Sequence, residues 1–97
     1  GIVEFQSKTS VVKETPWKFD FIRDMCWSST LCCFILTTRR REIYLVNEQS
    51  LAIELVRSID EQDWSSCTCS DTSLYLTARR EGTIIFEFNL SIICTKT

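Results

Sequence analysis

A short apolar motif that closes on an amide recurs along this chain at near-constant spacing. Ile2-Val3-Glu4-Phe5-Gln6, Ile43-Tyr44-Leu45-Val46-Asn47 and Ile85-Phe86-Glu87-Phe88-Asn89 place their closing amides 41 and 42 residues apart. Thr37-Thr38-Arg39-Arg40 returns as Thr77-Ala78-Arg79-Arg80 at a spacing of 40, and Trp27-Ser28 aligns with Cys69-Ser70 at 42. Such a period describes a chain built from copies of one supersecondary unit, each of which buries an apolar face on its neighbour.

The content of one period is β-structure. Alanine occurs only twice, and Thr, Ser, Ile, Val, Phe, Tyr and Trp dominate short runs punctuated by charged or Ser/Asp/Asn segments. One period predicts strands at 22–28, 32–38, 42–47 and 51–57. The next predicts them at 64–70, 74–79, 83–89 and 92–95. Residues 2–6 and 9–13 then supply the last two strands of a preceding unit. The inner runs are apolar on both faces: Phe34 and Leu36 oppose Cys33 and Ile35, and Ile84, Phe86 and Phe88 oppose Ile85. Strands of that kind belong to sheets packed on both sides. Four short strands in about 41 residues are the pattern of a β-propeller blade. The expected fold is therefore all-β, with four-stranded antiparallel β-meander blades. Residues 1–16 form the end of one blade, 17–58 a second and 59–97 a third. An immunoglobulin-like sandwich fits less well, because Thr77 stands where its second cysteine should follow Tyr75.

The last period resembles a WD40 repeat. Ser70-Asp71-Thr72-Ser73-Leu74-Tyr75-Leu76-Thr77-Ala78 is similar to that family's Ser-Pro-Asp-Gly turn and following strand. Glu81-Gly82-Thr83-Ile84-Ile85-Phe86-Glu87-Phe88-Asn89 is similar to its Asp-Gly turn and the strand that closes on Trp-Asp. The closing pairs here are Phe5-Gln6, Val46-Asn47 and Phe88-Asn89. Histidine is absent, so the family's Gly-His pair and its Asp-His-Ser-Trp network have no counterpart. The resemblance implies a non-enzymatic scaffold for protein–protein interaction. Its rivals are a secreted ligand- or glycan-binding propeller and a propeller enzyme whose site lies mostly outside these residues.

Charge and composition narrow the chemistry. Eleven basic and 13 acidic side chains leave a net charge of −2, against the clearly basic surface of a nucleic-acid binder. The longest apolar run, Leu31 to Leu36, is too short to span a bilayer, so no membrane partner is expected. Without histidine there is no Ser-His-Asp or Cys-His catalysis. Two glycines cannot build a phosphate loop, and no cofactor motif is present. Asp60, Glu61, Asp63, Asp71 and Glu81 are turn carboxylates without a cation-loop spacing. The strand at 22–28, which would line a propeller channel, offers chiefly Asp24 as a carboxylate.

Cys26, Cys32, Cys33, Cys67, Cys69 and Cys94 show no C-x-x-C spacing. Cys67 and Cys69 share one strand face, a geometry open to a soft metal or to two buried thiols acting as small hydrophobes. Reduced thiols in a cytoplasmic setting are the expectation. Asn89-Leu90-Ser91 forms a glycosylation sequon, and Trp17, Trp27 and Trp64 are expected either to pack between blades or to offer an aromatic platform.

The candidate binding residues are Arg39, Arg40, Arg41, Arg79 and Arg80, all in or beside the turn between the second and third strands of a unit. Equivalent turns of successive blades emerge on one rim. Gathered guanidinium groups there suit an anionic partner. The acidic turn Asp60-Glu61-Gln62-Asp63 falls on the same rim and is placed to neutralise them. At about 41 residues per blade the chain is roughly 2.4 blades. A propeller closes with four or more. Exposed apolar terminal faces then predict a chain that needs further blades or self-association. Gly1 in place of an initiator methionine gives the chain the look of a piece cut from something longer.

Overall fold

A computed structural model describes residues 2–6, 11–19, 21–39, 42–56, 64–80 and 82–94. Among these residues nine antiparallel strands follow in order: β1 (Ile2–Gln6), β2 (Val11–Pro16), β3 (Ile22–Ser28), β4 (Cys33–Thr38), β5 (Ile43–Asn47), β6 (Ile53–Val56), β7 (Trp64–Cys69), β8 (Ser73–Arg80) and β9 (Gly82–Asn89). They form a β1–β2 hairpin, a four-stranded meander β3-β4-β5-β6 and a three-stranded meander β7-β8-β9. Among the described residues the fold is all-β but for one helical turn, α1 (Leu90–Cys94).

That turn corrects the strand expected at 92–95. The β-branched run Ser91-Ile92-Ile93-Cys94 reads as a strand, but two local effects favour a helical turn. The Asn89 side-chain oxygen accepts the Ser91 N–H at 2.9 Å, as an N-cap does. Leu90 and Ile93, three apart and therefore on one helical face, are both buried in the core between the sheets. The second meander consequently has three strands among the described residues. Of the strand expected at 9–13, residues 11–13 lie in β2, which runs on to Pro16, and residues 7–10 lie outside those described.

Pairing registers sort each sheet into two faces. On the first sheet, Cys26 stands across from Ile35, Ile35 from Leu45 and Leu45 from Glu54. This face meets Cys67, Leu74, Leu76, Ala78 and the half-buried Phe86 and Phe88 of the second sheet, with Trp64, Leu90 and Ile93 completing the core. Trp64 is fully buried, edge-on to Phe86 at 5.4 Å and to Phe88 at 6.0 Å. Each large side chain at this boundary contributes roughly 1.5–3 kcal/mol by leaving water, so the boundary is the main reservoir of stability.

The first strands of the two sheets lie side by side and point the same way. Arg23 donates from Nη1 to the Trp64 carbonyl at 3.3 Å. Cys67 N–H donates to Asp24 Oδ2 at 2.8 Å. The Cys69 thiol reaches the Trp27 carbonyl at 2.8 Å, and the Thr30 hydroxyl reaches the Asp71 carbonyl at 2.6 Å. Successive partners advance together along both strands, so the β4–β5 and β8–β9 turns leave at the same end.

The two sheets also share local devices at the sequence period. β3 and β7 each carry an irregularity one residue in from the start, at Arg23 and Ser65. Ser28 Oγ accepts the Leu31 N–H at 3.1 Å, and Ser70 Oγ accepts the Ser73 N–H at 3.1 Å. Asn47 Oδ1 accepts the Gln49 N–H at 2.9 Å, matching Asn89 and Ser91. Two of the amides that mark the period in the sequence, Asn47 and Asn89, are thus turn formers.

The outward faces of the two sheets differ. On the first, the rows Met25-Leu36-Tyr44-Leu55 and Trp27-Phe34-Val46-Ile53 run across all four strands. Trp17 and Phe19 lie over the middle, with Trp17 edge-on to Tyr44 at 5.3 Å and Phe19 tilted on it at 4.7 Å. Met25, Trp27 and Leu55 at the row ends remain 40, 40 and 45 % exposed. The outward rows of the second sheet are Ser66-Thr77-Ile85 and Thr68-Tyr75-Glu87. Of the terminal faces expected to be apolar, that of the last unit is described by β7–β9, and it is not. It is a hydroxyl-rich surface with Ile85 as its large exposed hydrophobe.

Candidate functional site

The arginine rim is built by the turns at the common end of the meanders. Thr38 closes β4, with its N–H and hydroxyl both directed to the Glu42 carbonyl at 3.2 and 3.3 Å. Arg39 follows, exposed, with its backbone N–H on the Phe21 carbonyl at 3.1 Å. Its guanidinium carbon sits 6.0 Å from the centre of the Phe21 ring, the outer limit of a cation–π contact. Phe21 is itself 69 % exposed. Arg40 and Arg41 lie outside the described residues.

In the second sheet, the backbones of Arg79 and Arg80 end β8, paired with Thr83 and Gly82. Gly82 makes the return to β9 at φ +106°, a conformation that side-chain-bearing residues rarely adopt. The rim is thus a backbone scaffold that carries Arg39, Arg79 and Arg80 at one end, with Phe21 beside Arg39. Phe21 was not singled out by the sequence, because it precedes the strand that carries it. The acidic residues Asp60, Glu61 and Asp63 fall outside the described residues.

Asp24 has a different role from a channel carboxylate. Its Oδ1 accepts the Met25 N–H and its Oδ2 accepts the Cys67 N–H, each at 2.8 Å. Both oxygens are occupied by backbone donors, one on each sheet, so this carboxylate fastens the two inner strands together. The strand irregularity just before it turns Asp24 toward β7.

The thiols gather along the same boundary. Cys26, Cys32, Cys33, Cys67 and Cys69 form no disulfide. Cys67 is buried, with its thiol 3.6 Å from the Ile35 carbonyl. A hydrogen bond with Cys67 and then burial push the Cys26 thiol far above its ordinary value. Burial, followed by the neighbouring Cys26, pushes Cys69 up to about 11. Thiols held protonated in this way are poor nucleophiles at neutral pH. Among the described residues no group of three or more Cys, Asp or Glu side chains is placed to hold a metal ion.

Of the tryptophans, Trp64 packs between the sheets, Trp17 covers Tyr44, and Trp27 stands partly open against Phe34 at 4.9 Å. Asn89 of the sequon is engaged in capping α1, and Leu90 at its centre is buried. No described helix is long and apolar enough to cross a membrane. Comparison with protein families, curated proteins and solved structures gives no match to this chain.

Proposed function

We propose that this chain is a segment of a WD40-like β-propeller and serves as a non-enzymatic scaffold for protein–protein interaction in a reducing, cytoplasmic setting. One observation carries the reading. Two meanders of matched strand order pack face to face with their first strands side by side, and they repeat the Arg23/Ser65, Ser28/Ser70 and Asn47/Asn89 devices at the spacing of the sequence period. Neighbouring blades of a propeller stand in this relation.

The binding surface in this reading is the rim of Arg39, Arg40, Arg41, Arg79 and Arg80, widened by Phe21. Arginine forks beside an exposed aromatic ring suit an acidic protein segment that carries an apolar or aromatic side chain. The experiment is affinity capture with the wild-type chain and with charge-reversed variants, Arg39, Arg40 and Arg41→Glu and, separately, Arg79 and Arg80→Glu. Loss of salt-sensitive partners in the first variant, with far-UV dichroism unchanged, supports the scaffold. An identical set of partners on all three chains overturns it.

A further inference from the structure

The two outward faces of this molecule are unequal, and the inequality has a residue-by-residue basis. Where β3 meets β7, the connecting groups are the Arg23, Asp24 and Thr30 side chains and the Trp27 carbonyl, which bond to Trp64, Cys67, Asp71 and Cys69 respectively. Forty-two residues later the first two become Ser65 and Ser66, and their hydroxyls bond to Thr77 within their own sheet. The apolar Cys26, Ile35 and Leu45 become Thr68, Tyr75 and Glu87. There the Ser73 hydroxyl donates to Glu87 Oε2 at 2.9 Å and the Tyr75 hydroxyl to the same oxygen at 3.3 Å. Among the described side chains, the polar groups on the outward face of β7–β9 therefore bond to one another. Apart from the exposed Ile85, its described side chains have the polar character of a capping face.

The outward face of β3–β6 is the opposite case. Met25 and Trp27 occupy the positions equivalent to Cys67 and Cys69, the side chains that β3 covers in the next sheet. Met25, Trp27, Leu55 and Phe19, 40 to 47 % exposed, leave roughly 350 Å² of apolar surface open. Half-buried Phe34, Leu51 and Ile53 on the same face add to it. The apolar share of one side of a standard homodimer interface is about 500 Å². The open apolar surface is about two thirds of that share, and the half-buried side chains extend it.

We propose that this face docks a second copy of the chain. Like meets like across a two-fold axis, each copy covers the Met25, Trp27, Phe19 and Leu55 edges of the other, and both polar β7–β9 faces remain in water. A head-to-tail arrangement would press the apolar rows onto Glu87, Tyr75 and the hydroxyl cluster. That desolvates polar groups without new partners and is disfavoured. The assembly therefore closes at two and does not extend into a fibre. This inference does not rest on the arginine rim, and it competes with the propeller reading, in which a further blade would cover the same face.

The test is the mass of the 97-residue chain in solution by light scattering across a concentration series. The expected mass is twice 11.3 kDa. Leu55→Lys, on the edge strand and well exposed, is expected to weaken the dimer at least about tenfold, with far-UV dichroism unchanged. Met25→Lys with Trp27→Lys tests the other end of the rows. Tyr75→Lys with Glu87→Lys, on the polar cap, should leave the mass unchanged. A folded single-chain mass in the parent overturns the proposal and assigns the face to another occupant, such as a further pair of strands. So does a mass that keeps rising with concentration, or a dimer lost through the cap variant and kept in Leu55→Lys.

Discussion

Replacing Asp24 with alanine should loosen the boundary between the sheets more than its modest burial suggests. The carboxylate accepts two backbone N–H bonds at 2.8 Å, one from Met25 on its own strand and one from Cys67 on the next sheet. Hydrogen bonds to a charged acceptor contribute roughly 1.5–3 kcal/mol each, and removing the acceptor leaves both donors to find water. Met25 N–H lies on the open side of the sheet, where water replaces the carboxylate at small cost. Cys67 is buried, so its N–H carries most of the penalty. The expected loss for Asp24→Ala is about 2 kcal/mol. Asp24→Asn keeps one acceptor and should lose about half as much. Urea unfolding at fixed protein concentration, followed by tryptophan fluorescence, reads the change as a lower midpoint at unchanged slope. Amide exchange localises it, because Cys67 N–H should lose protection in the variant. A loss under about 0.5 kcal/mol, or unchanged protection at Cys67, refutes the assignment of Asp24 as a fastener between the sheets.

Three further changes probe the same architecture. Trp64 Nε1 is buried without a hydrogen-bond partner, so Trp64→Phe should be near neutral while Trp64→Ala costs about 3–5 kcal/mol; equal losses in urea unfolding refute this. Asn47→Ala and Asn89→Ala should each cost about 1 kcal/mol, near-additively, since each frees turn or cap N–H groups in a separate sheet; a neutral Asn47→Ala in the same assay refutes the shared role. The Cys69 thiol is raised from 9.0 to about 11, so its contribution to stability is complete below pH 9 and is lost as pH rises toward 11, with Cys26 acting in the same direction. The urea midpoint should fall across that interval, and a flat profile refutes the effect.

The sequence carried the strands well where periodicity and turn chemistry agreed. β1, β3, β5 and β9 fall within about a residue of their expected limits, and the spacing of Gln6, Asn47 and Asn89 marks a turn function that the structure displays at the last two. It missed α1 because Ile92, Ile93 and Cys94 favour a strand by type, whereas the outcome is set by the cap at Asn89 and a tertiary pocket for Leu90 and Ile93. The polar cap was legible in principle. Thr68, Tyr75 and Glu87 stand where the period predicts Cys26, Ile35 and Leu45, but the change becomes visible only once register assigns those residues to one face. Asp24 was noticed as a carboxylate and its work was not, because two backbone donors on different sheets leave no sequence signature. The rim was placed at Arg39 and Arg79-Arg80 from spacing alone, while Phe21 joins it only through the backbone bond to Arg39.

The side-by-side course of β3 and β7 has a kinetic consequence. Their cross-sheet bonds join residues 41, 43, 42 and 41 apart in sequence. Contacts within each meander close short hairpins, whereas all four of these bonds close loops of nearly one length. Loop-closure entropy depends on length only logarithmically, so none of them is favoured to form first. Whichever forms first bears the full entropy of bringing the meanders together, and the remaining three then form almost without further loss. Docking of the two meanders is thus a single cooperative step. A partly opened boundary retains nearly the whole entropic cost while giving up contacts, so it should stay too sparsely populated to act as an intermediate.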